Sequence, residues 1–105
     1  MFNINGRWWH IYFVSPNHPE LRRPDGVTTL GSCNNKTSSI YVNDMLNAKM
    51  RWRVLCHEIT HAAMYSYNVQ LNIDQEEILA DLVATYGYEI IEITNKIFKK
   101  IEGTM

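Results

Sequence analysis

The pentapeptide His57-Glu58-Ile59-Thr60-His61 puts two imidazoles and a carboxylate at a spacing suited to metal-assisted hydrolysis. Residues four apart on a helix lie on nearly the same face, about 40° apart in rotation. Both rings can therefore reach one tetrahedral zinc ion. Glu58 stands beside the pair, where its carboxylate can take a proton from a metal-bound water. The competing reading is a chance match on a solvated helix. Three demanding residue types at fixed spacing, inside an otherwise apolar helical stretch, argue against it.

A catalytic zinc takes three protein ligands and keeps a fourth position open. No histidine follows His61, so the third ligand must be a carboxylate or a distant group. Asp74, Glu76, Glu77 and Asp81 are the candidates. Glu77 and Asp81 are spaced i, i+4 and share a helix face, whereas the residue four beyond Glu76 is Ala80. That pair suggests Glu77 as zinc ligand, with Asp81 accepting a hydrogen bond from the outer nitrogen of a ligating histidine. Against this stands a capping box, with Asp74 as N-cap and Glu77 at the third helical position, and Asp81 as an exposed helix carboxylate.

Four other residues with ligand chemistry compete less well. Cys33 and Cys56 form no Cys-x-x-Cys pair and no disulfide framework, and are expected to be reduced thiols. Two thiolates with two histidines would make a closed structural site and leave Glu58 without a role. His10 and His18 lack ligand spacing, which favours structural or exposed roles.

The surrounding pattern supplies the elements that must position these groups. Residues 7–14 predict a strand, with Trp9, Ile11 and Phe13 on one face and Trp8, His10, Tyr12 and Val14 on the other. Residues 15–26 hold all three prolines and end in Asp25-Gly26, which predicts an irregular loop. Residues 27–33 and 38–42 are β-prone and flank the turn Asn34-Asn35-Lys36-Thr37, which predicts a hairpin.

A helix follows, capped by Asp44 or Asn47, with Met50, Val54, His57, His61 and Tyr65 at helical spacing. A second helix of about 25 residues is expected from near Asp74 to just before Gly103. Ile78, Leu82, Tyr86, Ile90, Ile93 and Ile97 form its apolar stripe, and Lys96, Lys99 and Lys100 favour its C-terminal dipole. Together these elements predict an α+β fold in a single domain, residues 1–105. Its small, mostly antiparallel sheet of about three strands packs on two long helices.

At 105 residues the chain can bury one small core, and its 46% hydrophobic and 20% charged content suits a globular protein. A net charge of −1 supplies no basic field, so no nucleic-acid partner is expected. The apolar stretches are too short for a membrane span. The mostly polar residues 1–6 carry no secretory signal, which predicts a cytoplasmic protein without membrane partners.

His57-Glu58-x-x-His61, followed by Glu77-Ile78-Leu79-Ala80-Asp81-Leu82-Val83-Ala84, resembles the zincin metallopeptidases that use a glutamate third ligand. More narrowly, the chain resembles the ImmA/IrrE-type metallopeptidases, above all the short versions carried by bacteriophages and mobile elements. Gly31, Ser39-Ile40-Tyr41-Val42-Asn43 and the opening strand from Trp9 to Val14 share that similarity, so it covers roughly residues 7–91. Many relatives carry an additional N-terminal helix or a DNA-binding domain, for which these residues leave no room. A packed helix often stands where this chain has its proline-rich loop.

The resemblance implies a minimal zincin-like domain that binds Zn2+ through His57, His61 and Glu77 and hydrolyses peptide bonds with Glu58 as general base. Its partner would be a peptide or protein substrate, a regulatory protein among the possibilities. A tyrosine or histidine commonly stabilises the oxyanion in such enzymes, and Tyr65, Tyr67, Tyr86 and Tyr88 are near enough in sequence to be considered. Residues 39–42, directly before the active helix, are expected at the cleft rim, where an extended substrate would add to the sheet edge. The competing expectation is a phage-type binding or inhibitory protein that keeps the fold, uses zinc structurally and turns nothing over.

Overall fold

A computed structural model describes residues 1–103 and shows an α+β architecture, a four-stranded mixed sheet with two helices. The strands are β1 (Phe2–Ile4), β2 (Arg7–Val14), β3 (Gly31–Asn34) and β4 (Ser39–Asn43), in spatial order β1-β2-β4-β3. β1 was not anticipated. The sequence Asn5-Gly6 turns the chain back with both residues at positive φ, 51° and 82°, the backbone that closes a two-residue hairpin matching strand twist. The expected strand over residues 7–14 forms as β2, and the expected hairpin forms as the antiparallel pair β3–β4. Its first β-prone run starts late, since β3 begins only at Gly31. In the turn, Asn34 accepts hydrogen bonds from the Lys36 and Thr37 amides, and Ser38 takes the positive φ.

β2 and β4 pair in parallel while the other two pairings are antiparallel. This places residues 39–42 in the middle of the sheet, contrary to their expected position at a rim. Val42 and Ile40 are fully buried there because β4 has a strand on each side and helix α1 across one face. The edge beside the helices is β3.

Helix α1 (Ala48–Ser66) is capped by Asn47, whose Oδ1 accepts from the Met50 amide at 2.9 Å. Its apolar side packs on the sheet, and Trp9, Ile40, Val42, Val54 and Ala62 form the core. Trp9 is fully buried, donates Nε1–H to Ser66 Oγ at 2.8 Å and stacks on Tyr65. The proline-rich loop is less irregular than expected. Pro19–Leu21 make a 3₁₀ turn that buries Leu21 completely against β3 and β4.

Helix α2 (Ile73–Glu102) starts near Asp74 as expected, but its cap is Asn72, not Asp74. Asn72 and Gln75 form a reciprocal capping box, with bonds of 2.9 and 3.2 Å. The cap thus lies two residues earlier than Asp74, which leaves Glu77 inside the helix and its side chain free for another role. At 30 residues α2 is about 45 Å long, against about 28 Å for the 19 residues of α1. It outruns the body, which explains the 53 Å long axis. The stripe Ile78, Leu82, Tyr86, Ile90, Ile93 and Ile97 faces solvent, while Ala80 and Ala84 are the fully packed residues of this helix. Among the described residues no helix is long and apolar enough to cross a membrane.

At Gly31 the sheet lies close against helix α1. A Cβ there would sit 2.6 Å from Val54 Cγ1, 3.1 Å from Glu58 Cγ and 3.2 Å from Glu58 Oε2. Gly31→Ala is expected to cost about 1–3 kcal/mol through overpacking and to push the Glu58 carboxylate aside. Urea unfolding measures the first effect; an unchanged midpoint would show that α1 yields without strain.

Candidate metal centre

α2 runs antiparallel to α1, so acidic residues met later along α2 face histidines met earlier along α1. Asp81 lies against His57, and Glu76 against His61, with Glu77 between the two rings. The distances are short. Glu77 Oε2 is 3.1 Å from His57 Nε2 and Glu77 Oε1 is 3.0 Å from His61 Nε2. The two Nε2 atoms are 3.2 Å apart. One ligand atom from each of His57, His61 and Glu77 lies within 4.8 Å of the others, a grouping able to hold a metal ion. Two imidazole nitrogens at the usual 2.0–2.1 Å from a tetrahedral zinc would be roughly 3.3 Å apart, so the donor set fits that ion.

Each histidine is held from behind by a carboxylate. Asp81 Oδ1 is 2.9 Å from His57 Nδ1, and Glu76 Oε1 is 2.9 Å from His61 Nδ1. A carboxylate on Nδ1 fixes the proton there and leaves Nε2 free to ligate. The structure therefore puts Asp81 where an outer-nitrogen acceptor must stand, and adds Glu76, which the sequence pattern left without a partner. The pattern missed Glu76 because i, i+4 spacing compares residues on one helix. Glu76 finds its partner on the other.

The two halves of the site differ in exposure. Side chains of His61 and Glu76 are 8% and 16% exposed, against 19% and 73% for His57 and Asp81. Water competes weakly for the inner pair and strongly for the outer one. Glu76→Gln is accordingly expected to lower zinc affinity toward the upper end of about 10–100-fold, and Asp81→Asn toward the lower end. Competition titration with a chromophoric chelator measures both, and equal losses would remove the distinction.

Glu58 is 7% exposed, at the floor of a cleft of about 760 Å³ that also touches β3, His57, His61, Glu77 and the proline-rich loop. Burial pushes its carboxyl above the ordinary value of 4.5, with His57 and His61 opposing that rise. Of the four tyrosines considered from sequence, Tyr65 lines the cleft and Tyr67, Tyr86 and Tyr88 do not. Burial raises the Tyr65 hydroxyl pKa, with Glu76 adding to the effect, so it stays protonated at neutral pH.

Cys33 and Cys56 are free and half-buried, and neither joins the ligand group. Burial, reinforced by the charge of Glu58, pushes the Cys33 thiol up to about 12. A thiol raised in the folded state supports the fold below its ordinary value of 9.0, and that support fades as pH climbs toward 12. Wild type should therefore lose stability between these pH values, and Cys33→Ala should lose less. Parallel unfolding curves at pH 8 and 10.5 test this. His10 and His18 stack with Tyr12 and Tyr41 and lie outside the metal group.

No protein-family model, no characterised protein and no solved structure matches this chain.

Proposed function

We propose that the protein is a zinc-dependent hydrolase and, within that class, a metallopeptidase. The narrower reading is a minimal zincin of the ImmA/IrrE type acting on a peptide or regulatory protein in the cytoplasm. The observation that carries it is the ladder of His57, His61 and Glu77 with Asp81 and Glu76 behind the rings, next to a buried carboxylate at the floor of an open cleft.

His57, His61 and Glu77 would hold the ion, and the two outer carboxylates would hold the rings. A zinc ion there supplies Lewis acidity toward a peptide carbonyl and toward water. Glu58 takes the proton from the attacking water and delivers it to the leaving amine. Its raised pKa suits that exchange, because a carboxylate of too low a pKa takes the proton from water poorly. Tyr65 offers a protonated hydroxyl on the cleft wall for the oxyanion. An extended substrate has a free sheet edge at β3, where Gly31, Ser32 and Cys33 line the cleft, in place of the interior strand β4.

The alternative, a binding protein with structural zinc, shares the three ligands but gives the buried Glu58 carboxylate nothing to do. Metal analysis of protein purified without chelator, combined with cleavage of a peptide library, tests the proposal. One zinc per chain and cleavage that stops on chelation support it. Absence of bound metal overturns both zinc readings, and bound zinc without turnover favours the binding protein.

A further inference from the structure

The C-terminal half of α2 has no partner within the described chain. Trp52 meets Tyr88 edge-on near the start of α1, and residues 89–102 beyond that contact are all exposed. A lone helix of this length is marginal in water. It is also strongly two-sided. Ile90, Ile91, Ile93, Ile97, Phe98 and Ile101 fall within about 160° of the helix circumference, with Glu89, Glu92, Lys96 and Lys99 opposite them.

We infer that this segment pairs with the same segment of a second copy, antiparallel, about a two-fold axis at Thr94. The order of residues around Thr94 carries the choice of partner. Counting outward from it, Glu92 matches Lys96, Ile91 matches Ile97, Ile90 matches Phe98 and Glu89 matches Lys99. Antiparallel pairing sets these residues level across the interface. Every apolar residue of those pairs then meets an apolar one, while the glutamates and lysines stay on the solvent side of both helices. Parallel pairing would align the two helix dipoles, which is unfavourable.

The area also suits a self-contact. The six apolar side chains are 49–74% exposed. At roughly 100 Å² of free surface each they present on the order of 600 Å², most of the roughly 800 Å² that one side of a standard interface buries. A contact of this kind is isologous and closes at two copies. The metal centre lies toward the other end of α2, so the pairing stands independently of what that centre does.

Sedimentation of the full chain tests the assignment. Wild type is expected to have the mass of two 12.3 kDa chains, and Ile97→Glu to halve it while keeping the thermal transition of the body. Ile97 is 52% exposed and outside the core, so this substitution spares the body. Oxidation provides the second arm. The double substitution Ile90→Cys with Phe98→Cys should give a crosslink between those two positions on different copies, and Ile90→Cys alone should not crosslink through position 90. A single-chain mass at all concentrations, a larger assembly, a wild-type mass in Ile97→Glu, or crosslinking through Ile90→Cys alone overturns the arrangement.

Discussion

Glu58→Gln is expected to keep its zinc and lose peptide cleavage by about 10²–10⁴-fold, the usual contribution of a positioned general base. The amide has the shape of the acid and meets the same Gly31 wall, but it cannot take a proton from water. His57, His61 and Glu77 are untouched, so the loss should fall on turnover and not on metal content. The same substitution carries an opposite sign for stability. Burial raises the Glu58 carboxyl above 4.5. Such a group supports the fold most when protonated, below that value, and the support is lost as pH rises through its folded-state value. Above that value the metal-free wild type therefore bears a cost for burying this carboxyl, as a charge or as a proton taken up, that glutamine lacks. Metal-free Glu58→Gln should unfold at a temperature equal to or above that of metal-free wild type. Full cleavage by Glu58→Gln would remove Glu58 from the mechanism, whatever the metal content.

Zinc is expected to raise the unfolding free energy by about 4 kcal/mol when free metal exceeds its Kd 1,000-fold, a large part of a small domain's total. The reason lies in how α2 is attached. Of its 30 residues only Ala80 and Ala84 are fully packed, and its clearest hold on α1 is the ladder from Glu76, Glu77 and Asp81 to the two histidines. A shared ion ties the helices together and offsets repulsion among the carboxylates. Because the ligands come from both helices, binding energy becomes folding energy. Chelation should lower the unfolding midpoint and raise hydrogen exchange first in residues 73–84, with the sheet affected last. An unchanged midpoint after verified metal removal would show that α2 holds by packing alone.

Much of the site was legible because it obeys one-helix arithmetic. His57 and His61 share a face by spacing, Glu58 is displaced beside them, and Glu77 and Asp81 share a face on the next helix. Nothing in that arithmetic states how α2 registers against α1. The register decides that Glu76, not another acid, backs His61, and that one glutamate reaches both Nε2 atoms. The capping box followed the same logic. Asp74 with Glu77 and Asn72 with Gln75 both satisfy the spacing, and only the place where the chain turns into α2 selects the second.

Strand β2 and the β3–β4 hairpin were visible as alternation and turn chemistry, which are local. The parallel pairing of β2 with β4 joins residues about 30 apart, and no local signal reports it. It moved residues 39–42 from the expected rim to the interior and left β3 as the edge that lines the cleft. The apolar stripe on α2 likewise showed that a face must be covered, but not by what. The sequence alone determined the donor types, their spacing along each helix and the amphipathic faces, since these depend on neighbours a few residues apart. The tertiary structure decided the inter-helix register, the central strand and the unpartnered end of α2, because each depends on which distant surfaces meet.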